Sequence, residues 1–95
     1  MGRADYHEEM RHRIQDLGFA IDRLRHRLDG PVDDRSKVEL KGRLAGLERR
    51  REQLEHRLET LGDEPDGAWS RLKNQFDLEW FDLVQDFEDR VGRLV

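Results

Sequence analysis

SKVELKGRLAGLERRREQLEHRLETL, the stretch from Ser36 to Leu61, places leucine at 40, 44, 47, 54, 58 and 61, with Arg51 where the series would put another. The steps alternate between four and three. That spacing keeps one stripe of a helix against a partner along its whole length. The segment before it, from Asp5 to Asp29, carries a matching series: His7, Met10, Ile14, Leu17, Ile21, Leu24 and Leu28. Between the two stands Asp29-Gly30-Pro31. Gly30 suits a left-handed residue after a helix, and Pro31 cannot continue one. Asp33, Asp34 and Ser36 each offer a cap for the helix that follows, and Ser36 with Glu39 has capping-box spacing.

Folding the chain back at that turn brings the two series into register. Leu28 meets Leu40, Leu24 meets Leu44, Ile21 meets Leu47 and Leu17 meets Arg51. Further on, Ile14 meets Leu54, Met10 meets Leu58 and His7 meets Leu61. Unbroken matching of this kind predicts an antiparallel coiled-coil hairpin. Helices of about 26 residues would make it a rod of roughly 40 Å.

Leu61 is followed by Gly62-Asp63-Glu64-Pro65-Asp66-Gly67, a connector in which Pro65 fits a first helical turn. Beyond it the apolar period changes. Trp69, Trp80 and Val91 recur every eleven residues, as do Leu72, Leu83 and Leu94, and Phe76 and Phe87. Eleven residues are close to three whole turns, so this stripe runs nearly straight. It registers on the second helix with Trp69 at Leu61, Leu72 at Leu58, Phe76 at Leu54, Trp80 at Arg51 and Leu83 at Leu47. The expected fold is all-α: an up-down-up antiparallel three-helix bundle built on the hairpin. One domain, 1–95, would hold helices at about 5–29, 34–61 and 66–94.

Composition agrees with a thin, elongated bundle, since 35% of the residues are hydrophobic and 42% charged. Cysteine is absent, which removes disulfides and thiolate chemistry. No apolar run reaches the ~18 residues of a membrane span, and Met1 to Asp5 lacks the apolar core of a signal peptide. A cytoplasmic location is the expectation. The net charge of −4 is unevenly spread: from Asp77 to Asp89 there are six acids and no base. Such a helix is a poor phosphate binder.

Arg51 admits three readings, one being that a polar residue on the seam fixes register or oligomeric state. In the other two it lays its methylenes along the seam with its head in water, or its guanidinium stacks on Trp80 beside Asp77. The histidines (His7, His12, His26, His56) form several i, i+4 pairs with acids, and Glu9-x-x-His12 has the spacing used by di-iron bundles. Such sites need a second copy of that motif and further inward carboxylates, so no metal or other cofactor is expected. Arg49-Arg50-Arg51 and Arg23-x-Arg25-His26-Arg27 are bracketed by Glu48, Glu52, Asp22 and Asp29. They read as solvated faces, with no nucleic-acid partner. Nor does any phosphate loop or base-activated serine appear, and a catalytic role is not expected.

Phe19, Val38, Leu78, Phe81 and Val84 fall off the seams. Phe19, Leu78 and Phe81 come at similar height along the rod, near the Leu17–Arg51–Trp80 layer. Several apolar residues at one level point to a contact surface, with Phe19, Arg51, Leu78, Trp80 and Phe81 as its candidate residues. Its expected occupant is a second copy, giving a homo-oligomer and in the simplest case a dimer. The alternative from another class is a lipid- or membrane-surface protein that uses the Trp- and Phe-rich third helix. Membrane association is disfavoured by the acidic flank of that helix.

Ala68, Trp69, Leu72, Lys73, Asp77, Trp80 and Leu83 match the pattern Ala-Trp-x-x-Leu-Lys-x-x-x-Asp-x-x-Trp-x-x-Leu. With Tyr6 near the N-terminus, a charged hairpin and a Gly/Asp connector, the chain resembles a family of small bacterial coiled-coil proteins. That family is largely uncharacterised and sometimes labelled stress-related. The resemblance implies a helical coiled-coil protein and supplies no active site. Glu79 stands where the family usually has Ala.

Overall fold

The computed structural model of the chain describes residues 2–30 and 33–91. Three helices follow in order, α1 (Arg3–Arg27), α2 (Asp34–Leu61) and α3 (Asp66–Val91). They form an up-down-up, all-α bundle measuring 51 × 19 × 17 Å. No helix among the described residues is long and apolar enough to cross a membrane.

The apolar spacing explains which faces meet. α1 buries Tyr6, Met10, Ile14, Leu17 and Ile21, and α2 buries Leu44, Leu47, Leu54, Leu58 and Leu61. From α3 come Phe76 and Leu83, with Trp69, Leu72, Trp80 and Phe87 packed at the margin. α2 is the shared element, because both neighbours approach it closely. Among the described residues no Cα of α1 comes within 8 Å of one on α3. The side chains between these two helices are aromatic, and rings hold backbones further apart than leucines do. Ion pairs fix α3 on α2 from the other flank: Arg50 Nη1 reaches Asp86 Oδ2 at 2.8 Å, and Arg57 pairs with Glu79. Glu79 is thus a partner of α2.

Four local expectations are corrected. The buried residue at the open end of the α1 seam is Tyr6, with His7 only half-buried; the reason is the set of partners that meets the Tyr6 hydroxyl. α1 stops at Arg27 rather than at 29. It does so through successive short turns, in which the N–H groups of Leu28, Asp29 and Gly30 bond to the carbonyls of Arg25, His26 and Arg27. These turns leave Gly30 without a positive φ, so it is not a left-handed cap. The Ser36–Glu39 capping box does not form. Ser36 Oγ instead donates back to Asp33 Oδ2 at 3.3 Å, and Glu39 pairs with Arg43 at 2.6 Å. Pro31, Leu94 and the helix end at 94 lie outside the described residues, and so does the side chain of Val91.

Candidate functional site

Three features bear on function, and the first joins α1 to α3. Tyr6 lies one turn into α1 and its ring is buried. Its hydroxyl donates to Asp77 Oδ1 at 2.5 Å, and Lys73 Nζ donates to Asp77 Oδ2 at 3.2 Å. Lys73 Nζ also sits 4.9 Å from the Tyr6 ring centroid, and Trp69 and Phe76 meet that ring edge-on at 6.0 and 6.4 Å. Next to this knot, Arg3 lies over Trp69 with its Cζ 5.1 Å from the ring centroid. The same guanidinium donates to the Glu64 carbonyl at 2.6 Å and to Asp66 Oδ1 at 2.5 Å. Trp69, Lys73 and Asp77 are spaced four apart, so they share one stripe of α3. Trp69, Lys73 and Asp77 of the C-terminal sequence pattern therefore close on one tyrosine near the other end of the chain.

Burial first, then the hydrogen bond and the charge of Asp77, push the Tyr6 phenol well above its ordinary value of about 10, while Arg13 acts the other way. The folded state holds this proton more tightly than the unfolded state does. Its contribution to stability is therefore complete below about pH 10 and is lost as pH climbs through the folded-state value. Tyr6 is the single tyrosine, so its titration can be followed alone by near-ultraviolet absorption. Tyrosinate should appear only together with loss of helicity. Tyr6→Phe should cost about 1 kcal/mol at neutral pH and flatten the alkaline decline. Tyrosinate forming near pH 10 in an intact helical protein would contradict this picture.

The second feature is Arg51, and the stacking reading of it is corrected. Its side chain is only 15% exposed, and its Nη1 end meets Glu55 at the exposed margin. It does not meet Trp80 or Asp77. Nη2 and Nε bond to Glu48 Oε1 at 2.5 and 3.0 Å, and Nη1 bonds to Glu55 Oε2 at 3.0 Å. The hydrogen bond to Glu48 raises the Arg51 pKa, against the effect of burial. The guanidinium end lies over Gly18 of α1, where a Cβ would come within 3.2 Å of Nε. Arg51 thus faces the flank between α2 and α1. Trp80 continues the Lys73–Asp77 stripe that faces the other flank, between α3 and α1, so the two cannot stack. The second oxygen of Glu48, Oε2, is buried without a partner.

The third feature is the off-seam apolar set. Phe19, Leu78 and Phe81 are 64%, 67% and 59% exposed, and Trp80 is half-buried. Val38 is also exposed, far from this level. Gly18 faces Arg51 and Ala20 lines a groove with Phe87, which leaves Phe19 on the outer ridge of α1. The structure keeps Phe19, Leu78 and Phe81 in solvent and separates them from Arg51, which is used within the bundle. Sequence reading named Tyr6 and Lys73 only as marks of a resemblance and missed both their meeting and Arg3. The available signal was the spacing of Trp69, Lys73 and Asp77 on one helix face.

Among the described residues no three His, Asp or Glu side chains converge as metal ligands would. No protein-family model matches the chain, nor does any curated protein or solved structure.

Proposed function

We infer that this chain is a non-enzymatic helical interaction module that self-associates through the surface carrying Phe19, Leu78 and Phe81. The observation behind this reading is their exposure, above half for all three; among the described residues Val38 is the other large apolar side chain left exposed. Isolated exposed apolar residues are ordinary, but a group of large ones at mid-rod resembles the apolar part of an interface. The resemblance to a small bacterial coiled-coil family suggests a stress-related role, and we include that role and a cytoplasmic setting in the proposal.

The lipid-surface alternative would require α3 to leave the bundle. Phe76 and Leu83 would lose their burial, and the Tyr6–Asp77 bond would break. Self-association asks for no such rearrangement. Sedimentation equilibrium should show a dimer for the native protein, and Phe81→Glu or Phe19→Glu should shift it toward monomer with helicity unchanged. A native protein that stays monomeric at high concentration, or that floats with anionic liposomes, removes the reading.

A further inference from the structure

We propose that the second copy docks along the seam between α1 and α3, with α1 of each chain against α3 of the other. This rests on the self-association reading and names the face that carries it. The seam is the widest in the bundle, since no Cα pair within 8 Å bridges it among the described residues. Among the described residues the hydrogen bonds and ring contacts that bridge it lie at the Tyr6 end. Further along, Trp80, Val84 and Phe87 line its α3 side and are half-buried. Trp80 and Val84 extend the Lys73–Asp77 stripe at helical spacing, which is why they face this way.

Charge supplies the occupant. On the α1 side Arg23 and Arg27 border the groove that holds Ala20, Leu24 and Phe87. At the same height α3 is at the end of its acidic segment, with Glu88 next to Phe87 and Arg90 paired to Asp86. Yet Arg3–Asp66 at the far end is the one ion pair between α1 and α3 among the described residues. Arg23, Arg27 and Glu88 form none at all there. Opposite charges thus stand near one another on the two helices without pairing among the described residues.

A two-fold axis parallel to the rod exchanges α1 and α3 at constant height. It sets Arg23 and Arg27 of each copy against Glu88 of the other, on the side where Phe19 and Phe81 are exposed. A two-fold across the rod would instead lay α3 on α3, with the acidic segment from Asp77 to Asp89 facing itself around Phe81, which like-charge repulsion opposes. Room is sufficient. A face 51 Å long and 19 Å wide can bury the ~800 Å² per partner typical of a stable dimer.

The test is a charge exchange read by analytical ultracentrifugation and native mass spectrometry. R23E/R27E alone and E88R alone should each weaken the dimer by about tenfold or more, with unchanged circular dichroism. Mixing the two variants should restore a one-to-one heterodimer, because both contacts then pair opposite charges again. Rising salt should weaken the native dimer and not the uncharged Phe81 contact alone. If the native dimer forms and Phe81→Glu breaks it while both charge variants dimerise normally, this arrangement is overturned and self-association stands. A monomeric native protein overturns both.

Discussion

Phe76→Ala should cost about 4 kcal/mol, close to the whole stability of a small domain with a thin core. Phe76 is 2% exposed and lies beneath the Tyr6 ring, near Leu61 and Leu72 at the α2–α3 contact. Truncation removes the apolar burial of a full ring and the edge-on contact with Tyr6. The hole is not easily closed, because α1 and α3 are held apart by the remaining aromatics and would have to slide as whole helices to fill it. Urea titration followed by circular dichroism measures the loss. Phe81→Ala is the control: the same residue type and substitution, one helix face away and 59% exposed, should move stability within about 0.5 kcal/mol. Equal losses at the two positions would mean that the core has been assigned to the wrong face of α3.

Arg51→Leu restores the unbroken leucine series of α2, and on pattern alone it should stabilise. The structure predicts the opposite sign. Arg51 is the partner of Glu48, whose side chain is 17% exposed and already has one oxygen buried and unpaired. Without the guanidinium, a carboxylate remains in that position with no donor, at a cost of about 2 kcal/mol. Leucine adds apolar burial, but the space above Gly18 is shaped by a flat, charged group. The double variant Arg51→Leu with Glu48→Leu removes both charges and should match or exceed the native midpoint, as replaced buried pairs often do. Thermal melts of the native protein, the single variants and the double variant complete the cycle. Stabilisation by Arg51→Leu alone would refute the assigned role of Glu48.

The hairpin and the placement of α3 were legible because leucine spacing carries nearly all the information such packing needs. Ile14, Ile21, Leu47, Leu54, Phe76 and Leu83 are buried where their periods put them. What spacing does not carry is the flank that a polar side chain prefers. Arg51 sits at a seam position, yet hydrogen bonds to Glu48 and Glu55 on its own helix turn it away from Trp80. Tyr6 displaced His7 from the core for a related reason. A heptad count treats neighbouring positions as in or out, whereas a phenol can lie along the boundary and place its oxygen on Asp77, a partner 71 residues away. Helix ends were least legible, since Gly30 and Ser36 each have competing local partners and the turns that form decide between them. The exposed group of Phe19, Leu78 and Phe81 was visible in the sequence as residues belonging to no seam.

The same distance between Tyr6 and Asp77 has a kinetic side. The α1–α2 and α2–α3 contacts join segments that are consecutive in the chain, and each can form with a short loop to close. The Tyr6–Asp77 bond cannot hold until both hairpins exist, because only then do the two ends of the chain arrive at the same place. It belongs to the last step of assembly and the first step of disassembly. Interactions formed that late act on the rate of opening rather than on the rate of folding. The latch at the end of the rod therefore sets how long the bundle, once made, stays shut.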